Sequence, residues 1–147
     1  MTRPPARYFD DVIVGEAIPP LDFAVTLTAL VAYAGATWDF HRYHYDADFV
    51  AKLGIPAPMM DGQMLGALLA RQLIQWGGPD ALVRKLSYRQ RAVVYANDMI
   101  FVRGKVSGTA VENGRSLVLC TMSVTGPNDR MVARDATAAI ELPCRKG

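Results

Sequence analysis

Several things that mark whole classes of protein are scarce or missing in this chain. Its two cysteines, Cys120 and Cys144, are far apart and in no CxxC pair, so neither a disulfide framework nor a cysteine zinc site is indicated. No apolar run approaches the ~18 residues of a membrane-spanning helix, and MTRPPARYFDD at the start has no apolar signal-peptide core. Charge of one sign is scarce too: 16 Lys and Arg against 14 Asp and Glu leave +2, too mild for a nucleic-acid binder. These absences predict a soluble cytoplasmic protein with reduced thiols, no membrane anchor and no nucleic-acid partner. Histidine is scarcer still. The only two, His41 and His44, fall together in the aromatic, acid-flanked stretch WDFHRYHYD, residues 38–46.

With 147 residues, 51% apolar and 20% charged, the chain has the size and composition of one globular domain, 1–147. Residues 1–7, rich in Pro and Arg, read as a loose arm. LDFAVT reads as a short strand, and Thr26 or Thr28 can cap a helix through LVAYAGAT, with Leu27, Leu30, Val31 and Ala34 on one face and its end near Thr37. ADFVAKLG predicts a short helix closed by Gly54, while the two prolines of IPAPMM demand extended or turned backbone. The clearest helix runs from Gly62 to Trp76, with Leu65, Leu69, Leu73 and Trp76 in one stripe that Met64 and Leu68 widen.

The remainder alternates with period two through Ile100, Val102 and Val106, then Val118 to Val124, then Val132 to Leu142, with turns at AND, ENGR and GPNDR. One buried helix followed by long antiparallel strands predicts an α+β fold, a curved sheet wrapped around that helix. Such a sheet has edges, and an exposed edge invites a second subunit, so a dimer is expected.

The polar set around the histidines is Asp39, His41, Arg42, His44, Asp46 and Asp48. Asp39 and His44 are five apart, about 140° apart on a helix and on opposite faces of a strand, so they meet only if the segment is an irregular turn. Three readings compete. The set is a solvated loop; or Asp39, His41, His44 and Asp46 bind a metal, although their spacing matches no HxxxH pattern; or a carboxylate and an imidazole hold a water between them. The last suits addition of water to a polarised double bond, since one group takes a proton while the other gives one.

T-W-D-F-H-R-Y-H-Y-D, followed by G-I-P-A-P-M-M-D-G-Q-M-L, resembles the hydratase signature of the MaoC-like (R)-specific enoyl-CoA hydratases and dehydratases, which have the hot dog fold. The lead-in Y-F-D-D-V-I-V-G-E is similar as well, and W-G-G-P-D-A-L-V-R-K-L and Y-A-N-D resemble the small subunits of actinobacterial steroid side-chain hydratases. The resemblance implies that Asp39 and His44 are the catalytic pair and that the Gly62 amide holds the thioester carbonyl. It also implies R stereochemistry, an acyl-CoA substrate, and either a homodimer or a heteromer with another hot dog chain. No metal or redox cofactor is implied. His41 and Arg42 stand where the family commonly has Asn and Pro, and Asp61 where it usually has His.

Asp61 reads as the cap of the central helix, with a functional alternative drawn from hot dog thioesterases, some of which use a carboxylate near this position. Arg84, Lys85, Arg89 and Arg91 form a basic cluster. A strand would put Lys85, Arg89 and Arg91 on one face, either as a solvated edge or as contacts to CoA phosphates. Met59, Met60 and Met64 could line an acyl tunnel or fill the core. The sequence therefore predicts hydration of a trans-2-enoyl-CoA, or the reverse dehydration. The alternatives are an acyl-CoA thioesterase and a subunit that needs a second hot dog chain to form its substrate tunnel.

Overall fold

The computed structural model describes residues 7–145. Of the expected arm, 1–6 lie outside the described residues. Arg7 itself is held: its amide donates to the Gly77 carbonyl, its guanidinium pairs with Glu16, and it lies 4.7 Å above the Trp76 ring.

Five antiparallel strands form one sheet in the order β1-β3-β4-β5-β2: β1 (Ala17–Ala24), β2 (Leu82–Ser87), β3 (Met99–Glu112), β4 (Arg115–Thr125) and β5 (Met131–Glu141). The period-two pattern delivers the inner face, since Ile100, Val102, Val106, Val118, Cys120, Met122, Val124, Val132, Ala136, Ala138 and Ile140 are all buried. Asn113 and Gly114 both take positive φ, 51° and 75°, in the two-residue turn that sets Glu112 opposite Arg115. That conformation belongs to a type I′ hairpin, which Asn-Gly favours.

The central helix α3 (Gly62–Gly77) lies on the inner face, with Leu65, Leu69 and Leu73 fully buried. It is not buried all round, for Ile74 is 47% exposed. Gln72 is buried too, and its Nε2 donates to the carbonyls of Pro19 at 2.9 Å and Val102 at 3.1 Å. This ties the edge strand to the helix where β1 breaks register around Pro19 and Pro20, a position where missing ladder donors cost least.

Two shorter helices carry the chain toward the site: α1 (Leu27–Thr37) and α2 (Ala47–Lys52). Thr26 caps α1 by accepting the Ala29 amide at 3.1 Å. Only the Leu30 and Ala34 edge of the predicted face is buried; Leu27 and Val31, about 20° and 60° beyond Ala34, are 42% and 50% exposed. No helix among the described residues is long and apolar enough to cross a membrane.

Candidate active site

The stretch 38–46 is an irregular turn, as any meeting of Asp39 with His44 requires. Trp38 ends α1 in the left-handed region, φ 61°, a conformation rare for a bulky residue. The reversal leaves the Asp39 amide bonded to the Ala34 carbonyl at 3.0 Å and turns its side chain back over the loop. Asp39 Oδ1 accepts the His41 amide at 3.2 Å, and His41 Nδ1 accepts the Tyr43 amide at 3.2 Å. A 3-10 turn over Arg42–His44 follows. Asp46 then caps α2 through the Phe49 amide and pairs with Arg42 at 2.7 Å; both contacts hold its carboxyl below the usual range.

These local bonds bring His44 Nε2 to 3.9 Å from Asp39 Oδ2. That is too long for a direct hydrogen bond and is a separation that one water oxygen, about 2.8 Å from each atom, would span. The His44 side chain is 16% exposed and that of Asp39 47%, so the pair sits at the rim, with the imidazole inside and the carboxylate reaching solvent. Behind them Leu30, Tyr33, Ala34, Asp61 and Met64 close a narrow space. Burial, with Asp61 and Tyr88 nearby, pushes the Tyr33 hydroxyl above its ordinary pKa.

Asp61 caps α3, its Oδ1 accepting the Gln63 amide at 2.8 Å. The same carboxylate reaches the dyad: Asp39, His44 and Asp61 each offer a ligand atom within 4.8 Å of the others. One imidazole nitrogen and two carboxylate oxygens are donors suited to a divalent cation. This is a different set from the one the spacing offered. His41 Nδ1 is taken by Tyr43, and Asp46 by Phe49 and Arg42. Gly62, next to the cap, is the first residue of α3, where helix amides lack intrahelical partners and the dipole is positive.

The other candidates stand apart from this cluster. Met60 is 3% exposed and packs in the core, whereas Met64, 5% exposed, both packs there and lines the space behind the dyad. Arg84 pairs with Glu141 at 2.5 Å across β2 and β5. The strand ends at Ser87, so Lys85 and Arg89 do not share a strand face as the alternation predicted; the chain turns off to bridge Gln90 to Ala133. None of Arg84, Lys85 and Arg89 lines the space around the dyad. A separate concavity of about 410 Å³ between Arg103, Lys105, Thr121, Arg134 and Thr137 shares no residue with the space around the dyad. Sequence reasoning named Met59 only for its side chain and missed its carbonyl, which meets His44 Nδ1 at 2.8 Å; it also missed Tyr88, whose hydroxyl donates to the Gly62 carbonyl at 2.9 Å. A backbone carbonyl leaves no signal in a sequence; Tyr88 could have been found only by its place after β2.

Residues 13–127 match the model of the MaoC-like domain. The chain belongs to that family. Over 133 residues this MaoC-like domain is 32% identical to the 3-oxo-4,17-pregnadiene-20-carboxyl-CoA hydratase beta subunit of Mycobacterium tuberculosis, covering 90% of this chain and 97% of that one. Among solved structures it resembles a chain of the ChsH1-ChsH2 complex from Mycobacterium tuberculosis, with TM-score 0.76 and 27% identity over 88% of this chain and 98% of that one. It also resembles an R-hydratase from Pseudomonas aeruginosa, TM-score 0.85 at 20% identity, over 94% of this chain and 86% of the other. The fold of this MaoC-like domain is the hot dog fold.

Proposed function

We propose that the chain hydrates a trans-2-enoyl-CoA to a (3R)-hydroxyacyl-CoA, or runs the reverse dehydration. The observation that carries this reading is the 3.9 Å separation of Asp39 and His44 beside the N-terminus of α3. The thioester carbonyl binds at the Gly62 amide, where the helix terminus stabilises the negative charge that develops on its oxygen. A water held between Oδ2 and Nε2 attacks C3 and gives its proton to Asp39. His44, as an imidazolium with Nδ1–H on the Met59 carbonyl, delivers its Nε2 proton to C2. The proton on Asp39 then returns to Nε2, and OH on C3 with H on C2 accounts for the water consumed. No metal or redox cofactor enters this cycle.

The similar proteins named as a hydratase beta subunit and as part of a two-protein complex support an assembled form, a heteromer with a second hot dog chain or a homodimer. They also support a ring-bearing acyl group as one substrate to try. The basic residues Arg84, Lys85 and Arg89 are proposed as contacts to CoA phosphates only in such an assembly.

The test is a panel of linear and steroid side-chain enoyl-CoA thioesters, incubated with the purified assembly while enoyl absorbance and free thiol are followed together. Loss of the conjugated absorbance without thiol release is the expected result. Thiol release from saturated acyl-CoA would instead carry the thioesterase reading, which Asp61, facing the same space as the dyad, favours.

A further inference from the structure

Gly62 opens α3 with a backbone that no side chain of its own steadies. Two side chains steady it from outside. Asp61 Oδ1 accepts the Gln63 amide at 2.8 Å, and Tyr88 Oη donates to the Gly62 carbonyl at 2.9 Å. That carbonyl and that amide belong to one peptide plane, which is therefore held at both of its polar ends.

Tyr88 reaches this carbonyl because residue 66 has no side chain. A Cβ on Gly66 would stand 2.5 Å from Tyr88 Oη and 2.7 Å from its ring edge, distances no real Cβ tolerates. Gly62 is under a milder constraint, since a Cβ there would meet Gln90 Oε1 at 3.0 Å, while Gln90 Nε2 is held by the Ala92 carbonyl at 2.9 Å. Tyr88 and Gln90 both come from the segment after β2. The Gln90–Ala133 bridge and the Arg91 amide, 2.7 Å from the Val132 carbonyl, tie that segment to β5. Tyr33 lines the space beside Asp61, and its hydroxyl pKa is raised by burial and then by Asp61 and Tyr88.

We infer that Tyr88 is a positioning residue for the reaction: its hydroxyl, acting against the Asp61 cap, fixes the Gly62–Gln63 peptide and so limits rotation at Gly62, which keeps the N–H of the adjoining Asp61–Gly62 peptide aimed at the thioester carbonyl, and Gly66 is the gap that admits it. The inference rests on the reading of Gly62 as the oxyanion contact. Misaiming a preorganised donor costs rate without costing ground-state binding, because the contact strengthens as charge develops.

Two variants approach the contact from opposite sides. Tyr88→Phe removes only the hydroxyl; Gly66→Ala pushes the ring away from the helix. Each should lower kcat by roughly tenfold with KM within about twofold, the loss expected when a donor is weakened rather than deleted. The double variant should be little slower than Gly66→Ala, since that substitution already displaces the hydroxyl. The second readout is carbonyl polarisation, measured as the infrared shift of a ¹³C-carbonyl enoyl-CoA bound to the Asp39→Asn protein, early in its at least about hundredfold slower turnover. The shift should be large with Tyr88 and about halved in Tyr88→Phe. A full shift and unchanged kcat in both variants would overturn the role of Tyr88 alone. No shift on binding even with Tyr88 present would overturn the Gly62 reading and this inference with it.

Discussion

His44 Nδ1 lies 2.8 Å from the carbonyl oxygen of Met59, and that contact decides which nitrogen faces Asp39. A carbonyl can only accept, so Nδ1 carries the hydrogen and Nε2 is left for the carboxylate and the water. Met59 is itself fixed, its amide donating to Tyr43 at 2.9 Å, while the next amide, of Met60, donates to Val94 at 2.8 Å. The imidazole is thus oriented by backbone from a separate segment rather than by its own loop.

If the pair works as a unit, Asp39→Asn and His44→Ala should each slow hydration by at least about a hundredfold, and the double variant should be little worse. His41→Asn should keep most activity, because His41 contributes a side-chain acceptor to the Tyr43 amide and Asn supplies one too. The decay of enoyl absorbance measures all four. Equal loss in His41→Asn and His44→Ala would mean that both imidazoles take part.

Asp61 separates capping from charge. Asp61→Asn keeps an oxygen for the Gln63 amide and should remain folded and active, whereas Asp61→Ala should lose about 1 kcal/mol of stability with the cap. Thermal melts and hydration rates on the two variants check this. A folded Asp61→Asn protein with no hydratase activity would shift the assignment toward thioester hydrolysis.

Met64 faces both the core and the space behind the dyad, which Leu30 and Tyr33 also close. Met64→Ala should raise kcat/KM for bulky acyl groups relative to short ones, at a stability cost of about 2–5 kcal/mol. A chain-length series with a parallel denaturation curve tests both effects; an unchanged order of preference would place the acyl group elsewhere.

Cys120 supplies a pH dependence. Burial, then Glu16, pushes its thiol from 9.0 to about 12. Above pH 9 the unfolded chain loses this proton first, so the folded state binds more protons and stability falls as pH rises, by up to about 1.4 kcal/mol per unit. Melting temperatures of the parent protein and Cys120→Ala should therefore converge between pH 9 and 12. At neutral pH only the exposed Cys144 should react promptly with a thiol reagent.

The sequence by itself determined what depends on neighbours within a few residues. Thr26, Asp46 and Asp61 accept amides two or three positions ahead, Asn113-Gly114 makes the tight hairpin, and period-two alternation marks the buried faces of β3, β4 and β5. The five-residue spacing of Asp39 and His44 likewise required an irregular turn. Tertiary structure alone decided the rest. It left Leu27 and Val31 exposed, ended β2 before Arg89, and forced Trp38 into a conformation a sequence would assign to glycine. It also brought Met59 to His44 across 15 residues and Tyr88 to Gly62 across 26. Local hydrogen bonds are legible because the same few atoms recur at fixed offsets. Contacts over such separations depend on how the whole sheet curls around α3, and no short pattern of residues encodes that.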